Sequence, residues 1–311
     1  MSKTALTAPQ FTNEKAAVKH LEASRWPNGV SCPHCGSENV HRMGGETQAG
    51  MFLCNDCRDK FTARTGTVME RSHIPVSKWL LAIHLLSSSK AGMSAHQLHR
   101  TLGITYKSAW FLAHRIREAM KDENPTPMGG KGKSVQADET YYGNSSRRAK
   151  GYKKGHSHKQ QVVALVEPGA RVRAFHVKSA TKDGVREILV RNVDRKSELH
   201  TDESPLYKQV GREFAGHKSV KHGWNRGGIY VGPDGETTNA VENFFGTFKR
   251  GMKGVYRKCD EQHLQRYVTE YEFRHNQRSG LGVNDTMRAE ALLKGVEGKR
   301  LTYRRTDEAQ V

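Results

Sequence analysis

Two Cys-x-x-Cys pairs near the N-terminus, a change to helical apolar spacing after Pro75, and a strand-rich second half carrying isolated acids predict an α/β multidomain chain. The expected order is a Cys₄ zinc ribbon, a helix-turn-helix segment, and a larger domain with a mixed sheet flanked by helices. The boundaries fall at 1–70 for the ribbon with an N-terminal helix, 71–121 for the helix-turn-helix, 122–133 for a linker, 134–285 for the larger domain and 286–311 for a basic tail. A chain of 311 residues has room for this arrangement.

The ribbon reading rests on Cys32-Pro-His-Cys35 and Cys54-Asn-Asp-Cys57, with eighteen residues between the pairs. Each pair presents two thiolates from a tight turn, and four of them suit one tetrahedral Zn²⁺. The intervening Asn39–Leu53 alternates around Gly44-Gly45 as a hairpin would, and the segment from Phe61 closes it as a strand. Cys259 is the odd fifth cysteine, expected to be a small buried or semi-buried residue and not a ligand. The chain lacks an apolar signal core and any run of about 18 apolar residues, so the expectation is a cytoplasmic protein without a membrane span.

After Pro75, Trp79, Leu80, Ile83 and Leu86 share one helical face. A short helix from Ser94 ends at Gly103, Ile104-Thr105 turns, and Tyr106–Met120 forms a longer helix with Ala109, Leu112, Ile116 and Met120 inward. Asp122–Lys133 is rich in Pro, Gly and Lys, as linkers are. Beyond it, strands are expected over 134–142, 161–167, 171–178 and 198–202. Helices are expected over 181–193, from Thr237, and over 261–275. In the helix from Thr237, Val241, Phe244, Phe245 and Phe248 lie on one face.

Lysine and arginine number 51 against 32 acidic residues, a formal net charge of +19 spread through the whole chain. Such an excess points to a polyanion, nucleic acid above all. Against that background, single acids stand at strategic places. Asp138 is read at the end of the first strand of the large domain, Asp202 at the end of its fourth, and Glu242 on a late helix. Brought together, three carboxylates suit two hard divalent cations, Mg²⁺ in the first instance with Mn²⁺ as an alternative, and such a pair serves phosphodiester chemistry. The neighbours Glu139 and Glu203 point the other way on a strand and rank second as ligands.

The chain resembles insertion-sequence transposases of the DDE type, in particular the ISXO-type group with an N-terminal zinc ribbon. The resemblance is carried by Trp26–Ser37, Ala137-Asp-Glu-Thr-Tyr-Tyr-Gly143, His200-Thr-Asp-Glu-Ser204, Thr238–Gly254 and Arg274-His-Asn-Gln-Arg278. It implies an RNase H-like catalytic domain, strand cleavage and strand transfer, with Asp138, Asp202 and Glu242 as catalytic metal ligands. Related groups vary in the third ligand, which makes Asn239, one turn before Glu242, the alternative.

The resemblance also implies double-stranded DNA partners, the element's terminal inverted repeats and a target, and a homodimer or larger synaptic complex. Candidate DNA contacts are Tyr106, Lys107, Ser108 and His114 or Arg115 on the second helix of the helix-turn-helix. Lys153 and Lys154, with Tyr152, lie in the basic loop after the first strand, and Lys249 and Arg250 follow Glu242 on its helix. The rival reading is a non-catalytic DNA-binding regulator, which needs only the ribbon, the helix-turn-helix and the charge.

Overall fold

A computed structural model describes residues 5–45, 50–143, 159–220, 231–232 and 235–302. The chain divides into two compact units, 1–121 with 283–311, and 122–282.

The first unit opens with helices α1 (Pro9–Thr12) and α2 (Glu14–Arg25), then the antiparallel strands β1 (Val40–Arg42), β2 (Met51–Cys54) and β3 (Lys60–Thr62). Phe52 and Phe61 pair across β2 and β3 and stack at 5.5 Å, and Trp26 meets both rings edge-on. Those three aromatic rings form the small core of the ribbon. Helices α3 (Val76–Ser88), α4 (Ala95–Leu102) and α5 (Tyr106–Ala119) follow. Pro75 offers α3 no side-chain cap, and Glu14 of α2 accepts the Val76 and Ser77 N–H groups at 2.7 and 2.9 Å instead. Between α4 and α5, Gly103 closes α4 in the left-handed region (φ 59°) and Thr105 caps α5 through the Ser108 N–H.

Residues 286–311, expected as a basic tail, begin inside a helix, α9 (Asp285–Lys294), that packs on α3 and α2. Leu292, Leu293 and Val296 are buried. The Arg288 guanidinium donates to the Ser87 carbonyl at 2.9 Å, Val296 accepts from the Val68 N–H, and Lys299 Nζ donates to the Ala119 carbonyl. The segment around Val296 is therefore part of the first unit's core, with Arg288 and Lys299 bonded to backbone carbonyls of that unit.

The second unit contains β4 (Ser134–Tyr142), β5 (Gln160–Val166), β6 (Val172–Val177), α6 (Lys182–Asn192), β7 (Glu198–Thr201), β8 (Gly216–Ser219), α7 (Asn239–Gly251) and α8 (Leu264–Asn276). The sheet order is β6-β5-β4-β7-β8, with β5 alone running against the others. Val162, Ala164, Val166, Val172 and Ala174 pack on one face against Val241, Phe244, Phe245 and Phe248 of α7 and Val268 and Tyr271 of α8. Val135, Ala137, Val163, Leu165 and Leu199 pack on the other against Val185 and Leu189 of α6 and Tyr207. This is the three-layer RNase H-like arrangement.

The outer strand β6 is covered by side chains of α8. Asn276 accepts from the Val172 N–H and donates to its carbonyl, Glu272 accepts from Ala174, and Gln265 accepts from His176 and donates to the Ala174 carbonyl. Positions 265, 272 and 276 share one helical face, so a single polar stripe satisfies the strand's outward backbone groups. Burial pushes the Glu272 carboxyl up to about 7.

Candidate functional site

The four ribbon cysteines converge. Cys32 Sγ lies 3.7 Å from Cys57 Sγ, Cys35 Sγ lies 3.6 Å from Cys54 Sγ, and all four sulfurs fall within 4.8 Å of one another. A disulfide needs about 2.05 Å. A tetrahedron with Zn–S bonds of about 2.3 Å has edges of about 3.8 Å, which is the separation found. The N–H of Cys57 helps draw the Cys54 thiol down to about 7, towards the thiolate a metal requires. Cys259 stands apart, partly buried against the α7–α8 core.

The acidic site forms where β4, the end of β7 and the start of α7 meet. Asp138 points from β4 to the α7 face of the sheet, the same face as Gln136 two residues earlier. Burial, then the charges of Asp202 and Glu139, and further the charge of Glu242, push the Asp138 carboxyl up to about 8, against a lowering bond from the Glu139 N–H. Asp202 and Glu242 are thus each near enough to act on Asp138. Asp202 Oδ1 accepts the Ser204 N–H at 3.0 Å, which fixes its side chain just beyond β7. Glu242, in the first turn of α7, accepts the Thr238 hydroxyl at 2.8 Å. Glu139 faces the opposite side of the sheet and accepts the hydroxyl of the fully buried Tyr207 at 2.7 Å. Glu203 and Asn239 are exposed.

Gln136 holds α7 in place, a role the sequence reading missed. Its Oε1 accepts the N–H groups of Ala240 and Val241 at 2.9 and 3.1 Å, so a strand side chain caps the helix that carries Glu242. Gln136 is 1% exposed, between the apolar Val135 and Ala137. A polar residue in a buried apolar run was the available signal. Gln136→Leu is expected to lower stability by about 1–3 kcal/mol through the two orphaned N–H groups. Urea unfolding of the variant checks it.

Crowded carboxylates make a second expectation. With Asp138 raised to about 8 in the folded protein and near 3.9 unfolded, the folded state holds the extra proton between those pH values. Zinc-loaded protein in buffer free of other divalent ions should therefore lose stability as pH rises from about 4 to about 8, by up to about 1.4 kcal/mol per pH unit from this group. Asp138→Asn should flatten that slope, measured as Tm against pH.

Tyr106 and Lys107 are exposed at the start of α5, and Tyr106 stacks on His96 at 4.3 Å. Lys249 and Arg250 are exposed at the end of α7. Lys153 and Lys154 lie outside the described residues. Arg115 corrects an expectation. It is 8% exposed, donates to the Glu70 and Leu301 carbonyls at 2.7 and 3.3 Å, and stands over the Phe111 and Trp79 rings. Its guanidinium is spent inside the first unit, and His114 beside it is fully buried, so neither side chain is presented on the helix surface.

Comparison with known proteins agrees with this architecture. Residues 12–60 match the transposase zinc-ribbon domain, and residues 129–276 match the ISXO2-like transposase domain. The chain is 27% identical over 278 residues to an uncharacterized protein in transposable element ISH50 of Halobacterium salinarum, covering 85% of this chain and 91% of that one. Among solved structures, the catalytic core of BIV integrase aligns with TM-score 0.29 and 17% identity, over 43% of this chain and 80% of that one. The Mos1 transposase paired-end complex aligns with TM-score 0.21 and 11% identity, over 70% and 80%. With its thiolate cluster and its sheet order in agreement with both domain matches, the chain carries a transposase zinc-ribbon domain over residues 12–60 and an ISXO2-like transposase domain over residues 129–276.

Proposed function

We propose that this transposase binds the terminal inverted repeats of its element and catalyses metal-dependent strand cleavage and strand transfer at Asp138, Asp202 and Glu242. The observation that carries the reading is that Asp202, just past β7, and Glu242, in the first turn of α7, stand near enough to the buried Asp138 of β4 for their charges to help raise its carboxyl. The donor set fits hard divalent cations, since it is made of carboxylate oxygens, and burial together with the charges of Asp202, Glu139 and Glu242 leaves Asp138 in need of a compensating positive charge. When bound, two such ions would activate the attacking water or 3′-hydroxyl and stabilise the leaving oxygen.

The chain's own part is positioning. Ser204 and Glu139 backbone N–H groups each take one oxygen of Asp202 and Asp138, and Gln136 sets the helix that delivers Glu242. The exposed Lys249 and Arg250 suit phosphates of the same duplex, and Tyr106 and Lys107 suit a major groove. Joining two ends in concert calls for at least two copies of the chain.

A labelled duplex carrying the element's end, incubated with protein and Mg²⁺ in the presence of target DNA, tests the proposal. Cut and joined products are expected. Cut product alone would make the protein a nuclease, and binding without product would leave a regulator.

A further inference from the structure

Asp202 stands one residue past the end of β7, where the strand no longer dictates its direction. Its peptide is held by side chains instead. The Asp202 carbonyl accepts the Thr201 hydroxyl at 2.8 Å and the Ser219 hydroxyl at 3.0 Å, the latter from the neighbouring strand β8. Thr201 is fully buried, and its Oγ1 also lies 2.9 Å from His217 Nε2. A hydroxyl has one proton to give, and a carbonyl can only accept. The Thr201 proton therefore belongs to the Asp202 carbonyl, and His217 supplies the Nε2–H that Oγ1 accepts. On its far side the His217 ring rests on Gly211, where a β-carbon would come within 2.2 Å of Nδ1 and 2.4 Å of Cγ. The imidazole is thereby wedged between a residue that must be small and a buried hydroxyl.

We infer that His217 and Thr201 are positioning residues that aim Asp202 at the metal site, through the chain His217 Nε2–H to Thr201 Oγ1–H to the Asp202 carbonyl. The inference deepens the proposed function and rests on Asp202 being a metal ligand. Partners that orient a ligand from behind are worth about 10–100-fold in metal affinity or activity. Both act on Asp202 through its carbonyl, from the side of β8. Their loss should act on how much metal the site needs, more than on the rate once metal is saturating.

The test uses the full-length, zinc-loaded protein with Mn²⁺ as the probe. Bound Mn²⁺ is followed by the loss of the free-ion paramagnetic resonance signal, and cleavage of end DNA is followed in parallel. Thr201→Val, which keeps the shape and removes the hydroxyl, is expected to raise the Mn²⁺ concentration for half-saturation about 10–100-fold. Thr201→Ser should restore the native value. His217→Ala should match the Val variant, with His217→Gln, which retains an N–H donor, in between. Should Thr201→Val fail to fold, the His217 pair reads the same shift. Native half-saturation in Thr201→Val, or in His217→Ala where that pair decides, overturns the inference. Asp202→Asn separates this failure from that of the underlying reading. If it loses Mn²⁺ binding while the positioning variants keep it, only the inference falls. If Asp202→Asn binds Mn²⁺ and cleaves as the native protein does, Asp202 is no ligand and both fall.

Discussion

Glu242→Ala is expected to abolish strand cleavage, by about a thousandfold or more, while DNA binding persists. Alanine is the best helix former, so α7 should stand. Its N-terminus is fixed from below by Gln136, and its apolar face, Val241, Phe244, Phe245 and Phe248, is unchanged. What is lost is one of three converging carboxylates, and two carboxylates hold a cation pair poorly. The exposed Lys249, Arg250, Tyr106 and Lys107 are untouched, so affinity for the duplex should survive. The readout is a labelled-end cleavage assay with Mg²⁺ beside a gel-shift titration. Strand transfer retained in Glu242→Ala and lost in Asn239→Ala would move the third ligand to Asn239, one turn earlier.

Removing the ribbon's metal is expected to unfold the ribbon. Its core is small, Trp26 with Phe52 and Phe61, and its strands are three or four residues long. Such a module cannot offset its chain entropy by burial alone. Structural zinc supplies roughly 10–16 kcal/mol in small zinc peptides. Cys54→Ser, at a fully buried thiol in the tetrahedron, should therefore drop bound zinc from one ion per chain to none. The near-ultraviolet dichroism of the packed Trp26 should weaken with it, and recognition of the element's end should fail. Metal analysis of the purified variant decides the matter: a full equivalent of zinc with native dichroism would mean that the four thiols are not the ligand set.

Much of this was legible in the chain because local rules produced it. The four cysteines carry their own spacing, β4 runs over the expected 134–142, and the apolar positions of α7 are buried as their period requires. The features that escaped are those made by distant partners. Arg115 lies on a helix whose inward residues are Ala109, Leu112 and Ile116, and nothing local says that Glu70 and Leu301 close over it. Helix α9 was hidden inside a basic stretch, since Arg288 within it and Lys299 beyond it serve as buried donors to the Ser87 and Ala119 carbonyls, far back in the chain. A fragment ending at residue 121 would lack this helix and expose the α3 surface it covers. Gln136 escaped because a strand pattern gives the face of a side chain but not the helix that will land on it. At the acidic site the spacing of three acids was readable, whereas the hydroxyls of Thr201 and Ser219 behind Asp202 are ordinary residues until the fold sets them side by side.

The stripe of Gln265, Glu272 and Asn276 along β6 has a bearing on how copies of this protein can meet. An uncovered margin of a sheet invites a visiting chain to zip on through its main chain, the route to runaway polymers. Here that margin is already occupied from within the molecule. Any contact on the β6 flank must therefore be written in side chains and not in main-chain pairing.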